Sequence, residues 1–242
     1  MKTALKNAGK WLLNALLPRT CAHCGLDLNY LSAKPLCPGC SGQLEALPGL
    51  HCRTCGLPLS DGGQSCRDCR GGAPRALALA RSAFIFNPQL RSLLHAFKYR
   101  AREDLAGFLA AGMAEALPCY PELSPYNFVT AVPLHPARSR ERGFNQAELL
   151  AAAMAARCNR FYLAGASGRT RNTPSQTALS KKQRKKNISG AFCVIKPELI
   201  RGRNILLVDD VATTLATLDE LASEFMKAGA KSVAAYTLAR EP

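Results

Sequence analysis

The run Arg203-Asn204-Ile205-Leu206-Leu207-Val208-Asp209-Asp210-Val211-Ala212-Thr213-Thr214-Leu215-Ala216-Thr217 restricts the fold of this 242-residue chain more than any other stretch. Ile205 to Val208 is an unbroken β-favouring apolar segment, the pattern of a strand buried on both faces of a parallel sheet. Two carboxylates follow, then small hydroxylated residues, then a helical pattern with Leu218, Leu221, Ala222 and Phe225 on one face. In an open α/β sheet, ligands sit at the carboxyl ends of strands, where helix N-termini offer free N–H groups to anions. Asp209 and Asp210 are therefore placed to accept hydrogen bonds from vicinal sugar hydroxyls. Thr213, Thr214 and Thr217, with the amides of Ala212 to Thr217, are placed to hold a phosphate. The plainer alternative is a buried strand whose Asp and Thr residues cap the next helix.

Apolar strand, Asp-Asp and Thr-rich loop together resemble the signature of type I phosphoribosyltransferases, in which the loop holds 5-phosphoribosyl-1-pyrophosphate (PRPP). That family's loop runs Thr-Thr-Gly-x-Thr, and here Leu215 stands at the Gly position. A left-handed Leu would cost about 1–2 kcal/mol, and its side chain is expected to crowd the phosphate.

Residues 21–69 carry four Cys-x-x-Cys pairs, Cys21/Cys24, Cys37/Cys40, Cys52/Cys55 and Cys66/Cys69, with intervening gaps of 12, 11 and 10 residues. Each pair presents two sulfurs on one tight turn, and two pairs complete a tetrahedral thiolate site, so two structural Zn²⁺ ions are expected. Neighbour pairing into two successive ribbons is favoured, and a cross-brace stays open on spacing alone. Gly25 and Gly56 follow a second cysteine, where a knuckle turn tolerates Gly best. Disulfides would require export and iron–sulfur ligation is a chemical alternative, but regular knuckles favour zinc. With all four ligands from protein, such sites hold structure and do not catalyse. Cys119, Cys158 and Cys193 are expected as buried reduced residues.

Met1 to Leu17 has three lysines ahead of a short apolar run broken by Asn14. It reads as an amphipathic helix docking on the body and not as a signal peptide, which with reduced cysteines implies a cytoplasmic protein. No run reaches the ~18–20 apolar residues that cross a bilayer. A zinc-ribbon domain over 18–72 and an α/β domain over 77–242 are the expected units. The formal charge is +15, or +11 if two Zn(Cys)₄ sites carry −2 each. Residues 169–203 hold ten Lys or Arg against one acid, whereas 204–242 hold three against six. A basic arm beside an acidic strand end suggests a polyanionic ligand, pyrophosphate or nucleic acid.

Between the cysteines and the Asp-Asp strand, Ser82–Phe86 and Phe128–Val132 read as strands, and 161–163 as a further strand candidate. Asn87-Pro88 caps a helix buried through Leu90, Leu93, Leu94 and Phe97, and Glu103–Leu117 repeats the pattern. After Pro133, Arg138, Arg140 and Arg142 alternate in an expected loop before the helix bearing Leu149, Leu150 and Met154. Arginine suits bidentate oxyanion contacts. The segment 169–187, with Arg169, Arg171, Lys181, Lys182, Arg184, Lys185 and Lys186, reads as a long mobile loop. Phe192–Ile195 is expected to resume the sheet, and Ser232–Leu238 to close it.

The four cysteine pairs, VPLHPARSRERGFNQAELLA, RTRNTPSQTALSKKQRKKNISGAF and ILLVDDVATTLAT together are similar to the ComF family, from about residue 18 to the end. The resemblance implies a double zinc ribbon ahead of a type I phosphoribosyltransferase-like domain, and a cytoplasmic role in DNA uptake during natural transformation with helicase-like and recombination partners. By the same resemblance, Asp209 and Asp210 hold the ribose hydroxyls directly or through Mg²⁺. The 213–217 loop holds the 5′-phosphate, and Arg138 and Arg142 take the pyrophosphate. Two other readings remain: an active phosphoribosyltransferase of nucleotide metabolism, and a single-strand DNA-binding module without turnover that uses the basic 169–203 segment.

Overall fold

A computed structural model describes residues 19–28, 32, 34–47, 49–60, 63–71, 75–100, 102–172 and 187–242. The expected amino-terminal helix and the basic residues 181–186 lie outside the described residues.

Five parallel strands form the sheet: β1 (Leu79–Ile85), β2 (Phe128–Ala131), β3 (Phe161–Tyr162), β6 (Asn204–Ala212) and β7 (Ser232–Arg240), in the order β1-β7-β6-β2-β3. Ile205 to Val208 is fully buried at the centre, as its unbroken apolar run requires. Alternation across the pleat splits the core in two. Leu206, Val208, Ala234 and Tyr236 face one layer, made by α1 (Pro88–Tyr99), α2 (Leu105–Ala116) and α4 (Gln146–Arg157). Ile205, Leu207, Val233 and Ala235 face the other, where α5 (Ala216–Lys227) lies on Leu218, Leu221, Ala222 and Phe225. The helix starts are those the sequence announces: Asn87 accepts the Leu90 amide at 3.0 Å with Pro88 following, and the whole Leu90, Leu93, Leu94, Phe97 stripe is buried.

Two expectations are corrected. Phe192–Val194 (β5) does not join the main sheet; it pairs antiparallel with β4 (Ser167–Arg169) in a separate two-stranded ribbon. Its burial is one-sided, with Phe192 buried and Ile195 57 % exposed, so it lacks the two-faced apolar character of an inner parallel strand. The arginine stretch is a short helix, α3 (Pro136–Arg142), and not a loop. His135 Nδ1 accepts the Ala137 amide at 3.2 Å, Pro136 starts the helix, and Gly143 closes it at φ 88°. These are local capping devices in a segment without apolar periodicity, where a pattern search finds no helix.

The cysteine-rich part lies along the outer edge of β1. Ala80 N–H donates to Thr54 O (2.8 Å), Leu47 N–H to Ala83 O (3.0 Å) and Ile85 N–H to Glu45 O (2.9 Å). An edge that would otherwise offer an open row of peptide groups is thereby covered. Gly56 makes the approach possible: its φ is +67°, and a Cβ there would stand 2.6 Å from Ala80 O. Cys119 is exposed, and Cys158 and Cys193 are half-buried, which corrects their assignment to the core.

Candidate functional site

The chain leaves β2 toward β3 on one side of the sheet, whereas from β6 it leaves toward β7 on the other. Adjacent strands whose connections part in this way open a crevice at their carboxyl ends. A cleft of about 380 Å³ lies there. Its walls are the end of β6 with the following loop, the β2–α3 segment, the end of α1, and Arg169 at the end of β4 with Asn172 beyond it.

Asp209 and Asp210 sit at the floor. Within the last residues of β6, Asp209 Oδ1 accepts the Asp210 N–H and Asp210 Oδ1 accepts the Val211 N–H, both at 2.8 Å. The two carboxyls differ in charge. Burial, with Asp210 alongside, pushes Asp209 up to about 8. Asp210 also meets the cost of burial, but Lys98 at the end of α1 is ion-paired to it and holds it below the ordinary carboxylate range. The same pairing outweighs burial at Lys98 and raises its pKa. Asp210 is thus paired with a resident cation, and Asp209, half-buried at the cleft, is the carboxyl left open to a ligand.

Beyond Ala212 the loop turns into α5. Thr213 and Thr214 are half-buried and line the cleft, and Thr214 Oγ1 accepts the Ala216 N–H at 3.4 Å. Leu215 has φ 63° and ψ 5°, the left-handed twist expected of glycine there. Leu215 is among the residues that line the cleft. The side chain is 4 % exposed and belongs to the apolar cluster that holds Leu218, Leu221 and Phe225. Strain is present, but the loop keeps its shape.

Of the predicted arginines, Arg138, Arg142 and Arg169 line the cleft; Arg140 lies on the exposed side of α3 and Arg171 donates to Asn187 O at 2.7 Å. Arg142 is held between Gln146, to which it donates, and the ring of Tyr99, 5.4 Å from its guanidinium carbon. Burial lowers the pKa of Arg169, whose guanidinium lies 5.6 Å over the Phe192 ring. Asn145 ties this wall to the sheet by donating to Val132 O (3.1 Å) while accepting the Ala147 N–H (3.0 Å).

Lys98, Tyr99 and Gln146 were not selected from the sequence. For Lys98 a signal existed: it follows Leu94 by one helical turn, so it falls on the buried stripe of α1, where a lysine needs a partner.

The cysteines form two sets, Cys21/Cys24/Cys37/Cys40 and Cys52/Cys55/Cys66/Cys69, with all four sulfurs of each within 4.8 Å of one another. The grouping is sequential, not cross-braced. A tetrahedral Zn–S bond near 2.3 Å sets neighbouring sulfurs about 3.8 Å apart. Cys24 and Cys37 are 3.8 Å apart and Cys55 and Cys66 3.5 Å, so the donor sets fit zinc. The thiols within each set differ: a hydrogen bond with Cys37 and burial raise Cys40, and burial raises Cys55 and Cys69. Burial raises Cys21 and Cys52, but hydrogen bonds from the backbone at Cys24, Cys37 and His23, and at Cys55, Cys66 and Thr54, bring each down to about 6. Gly25 and Gly56 follow the first knuckle of each set at φ 75° and 67°, as expected. Among the described residues, no helix is long and apolar enough to cross a membrane.

The double zinc ribbon domain family matches residues 12–70, and the phosphoribosyl transferase domain family matches 140–242. Competence protein F of Haemophilus influenzae is 29% identical over 225 residues, covering 91% of this chain and 96% of that protein. DNA utilization protein YhgH of Escherichia coli is 31% identical over 227 residues, covering 93% and 98%. Competence protein ComFC of Bacillus subtilis is 30% identical over 217 residues, covering 85% and 84%.

Proposed function

Because the chain belongs to the ComF family of competence proteins, we propose that its carboxyl-terminal domain binds PRPP and that the protein serves DNA uptake in natural transformation. The observation that carries the ligand is the meeting, in one cleft, of Asp209 and Asp210, the 213–217 loop, and Arg138, Arg142 and Arg169.

The roles follow from chemistry. Asp209 accepts from the ribose hydroxyls, and the loop amides with Thr213, Thr214 and Thr217 take the 5′-phosphate. Arg138, Arg142 and Arg169 face the pyrophosphate and would stabilise it as it departs. Among the described residues, only the cysteine sets gather three or more metal-ligating side chains. Two carboxylates without a full protein cage suit Mg²⁺, which is held by one or two acids together with substrate oxygens. When bound, it would neutralise charge on the pyrophosphate. Lys98 keeps Asp210 ionised in the ligand-free cleft. The zinc sites hold the ribbons on the edge of β1, and the protein is taken to be cytoplasmic, where thiols stay reduced.

Calorimetric titration with PRPP and Mg²⁺ tests this reading on the wild type and on Asp209→Asn/Asp210→Asn. Saturable binding lost in the double variant is expected; equal binding by both sinks it. A second reading, single-strand DNA binding, is favoured by the ten cations against one acid in 169–203. It requires affinity that falls steeply with salt. Charge reversal at Lys181, Lys182, Arg184, Lys185 and Lys186 that leaves DNA affinity unchanged would remove it. Both ligands are anionic, so one basic rim can serve them, with helicase-like and recombination proteins as the partners that pass the strand on.

A further inference from the structure

Arg240 ends β7 and is 5 % exposed. Its Nη1 donates to three backbone carbonyls: Ala212 O at 2.9 Å, Thr213 O, and Glu241 O at 3.3 Å. Burying a guanidinium is costly unless it is hydrogen-bonded, and these carbonyls supply the bonds.

What it holds is the start of the Thr loop. The described peptide bonds are all trans, and in a planar trans peptide the N–H points opposite to the C=O. Ala212 O also accepts the Glu241 N–H at 3.0 Å, so Arg240 shares that carbonyl with the backbone and holds the Thr213 carbonyl by itself; drawn to the rear, the two carbonyls turn the N–H groups of Thr213 and Thr214 the other way. The loop is a wall between two cavities. Behind it lies a chamber of about 250 Å³, whose lining includes Arg240, Arg75, Asp68, Glu241, Thr213 and Thr214. In front lies the cleft, which Thr213 and Thr214 also line and Arg240 does not. Carbonyls held to the rear leave both amides facing the cleft, and neither donates a hydrogen bond within the described protein.

We propose that Arg240 is a positioning residue: from behind the loop it fixes the amides of Thr213 and Thr214 toward the bound phosphate, without touching the ligand. This rests on the reading of 213–217 as the phosphate loop. It also makes the end of β7, over twenty residues from the loop in sequence, part of the binding apparatus.

The test uses the full zinc-loaded chain as wild type, Arg240→Ala and Arg240→Lys, titrated calorimetrically with ribose 5-phosphate and, separately, with inorganic pyrophosphate. Ribose 5-phosphate needs the loop; pyrophosphate needs the arginine wall. Arg240→Ala should bind ribose 5-phosphate at least about tenfold more weakly, with pyrophosphate within about threefold of wild type. Millimolar guanidinium ion, for which the rear chamber has room, should restore much of the loss. Arg240→Lys should fall between, since an ammonium donates but lacks the planar fork. Equal weakening of both ligands without recovery in guanidinium would make Arg240 a structural clamp only and overturn the proposal, as would unchanged binding of ribose 5-phosphate. Should the alanine variant not fold, the same split between the two ligands must be read in Arg240→Lys, and its absence there overturns the proposal equally. A wild type that binds neither ligand overturns the cleft reading itself, and the inference with it.

Discussion

Replacing Leu215 separates two effects that oppose each other at one residue. Its side chain is 4 % exposed in the α5 cluster, yet its backbone stands at φ 63°. Truncating a buried leucine to alanine costs about 2–5 kcal/mol. Going on to glycine removes one more methyl, about 0.8 kcal/mol, and adds chain entropy worth about 0.5–1 kcal/mol. Only glycine relieves the left-handed twist, a gain of about 1–2 kcal/mol. Leu215→Gly and Leu215→Ala should therefore be equally stable within about 1 kcal/mol. Leu218, one turn into α5 and 2 % exposed, is the control without the twist. There glycine should be worse than alanine by about 1.5–2 kcal/mol, from helix propensity and the lost methyl. Urea unfolding of the four zinc-loaded variants gives both gaps, and their difference isolates the strain at about 1–2 kcal/mol. Equal gaps at 215 and 218 would refute the argument. Since the loop already has the shape glycine would give, Leu215→Gly should also leave PRPP affinity within about threefold of wild type.

Elemental analysis should find two zinc ions per chain in the wild type and one in either Cys21→Ser or Cys52→Ser; loss of both from a single change would mean a shared, not sequential, arrangement. Gly56→Ala should destabilise by more than about 2 kcal/mol in urea because strain and a clash with Ala80 O act together. Gly25→Ala, with φ +75° but open space around its Cβ, should cost only about 1 kcal/mol. Burial raises Glu122, but hydrogen bonds from its own amide and from Arg81 at 2.5 Å outweigh it and hold the folded pKa below its ordinary value. Its contribution is then present above the unfolded value of about 4.3 and lost as pH falls through the folded one. Glu122→Gln should accordingly be less stable than wild type near pH 6, with the gap closing below pH ~4; a gap independent of pH would contradict this.

Much of the site was legible because its chemistry is local in sequence. Ile205 to Thr217 states strand, acids and loop in one stretch, and the cysteine spacing states two metal sites. What was not legible depends on tertiary placement. Arg240 reads as the end of a strand until β7 is seen beside β6. Lys98 falls on a buried helical stripe and so calls for a partner, but that partner is identified only when the fold brings Asp210 to it. The β4–β5 ribbon is hidden because two three-residue strands carry no period, and α3 because caps, not an apolar face, define it. For Leu215 the spacing gives the left-handed backbone, whereas only packing shows its side chain buried against α5 at the edge of the cleft.

The amides after Asp210 are the groups that must hold the sugar phosphate. Backbone ¹⁵N–¹H spectra during a PRPP–Mg²⁺ titration read those groups directly. Thr213, Thr214, Leu215, Ala216 and Thr217 should shift together along one saturable curve that Asp209→Asn/Asp210→Asn abolishes. Saturable PRPP binding that leaves these five amides unmoved would contradict that role.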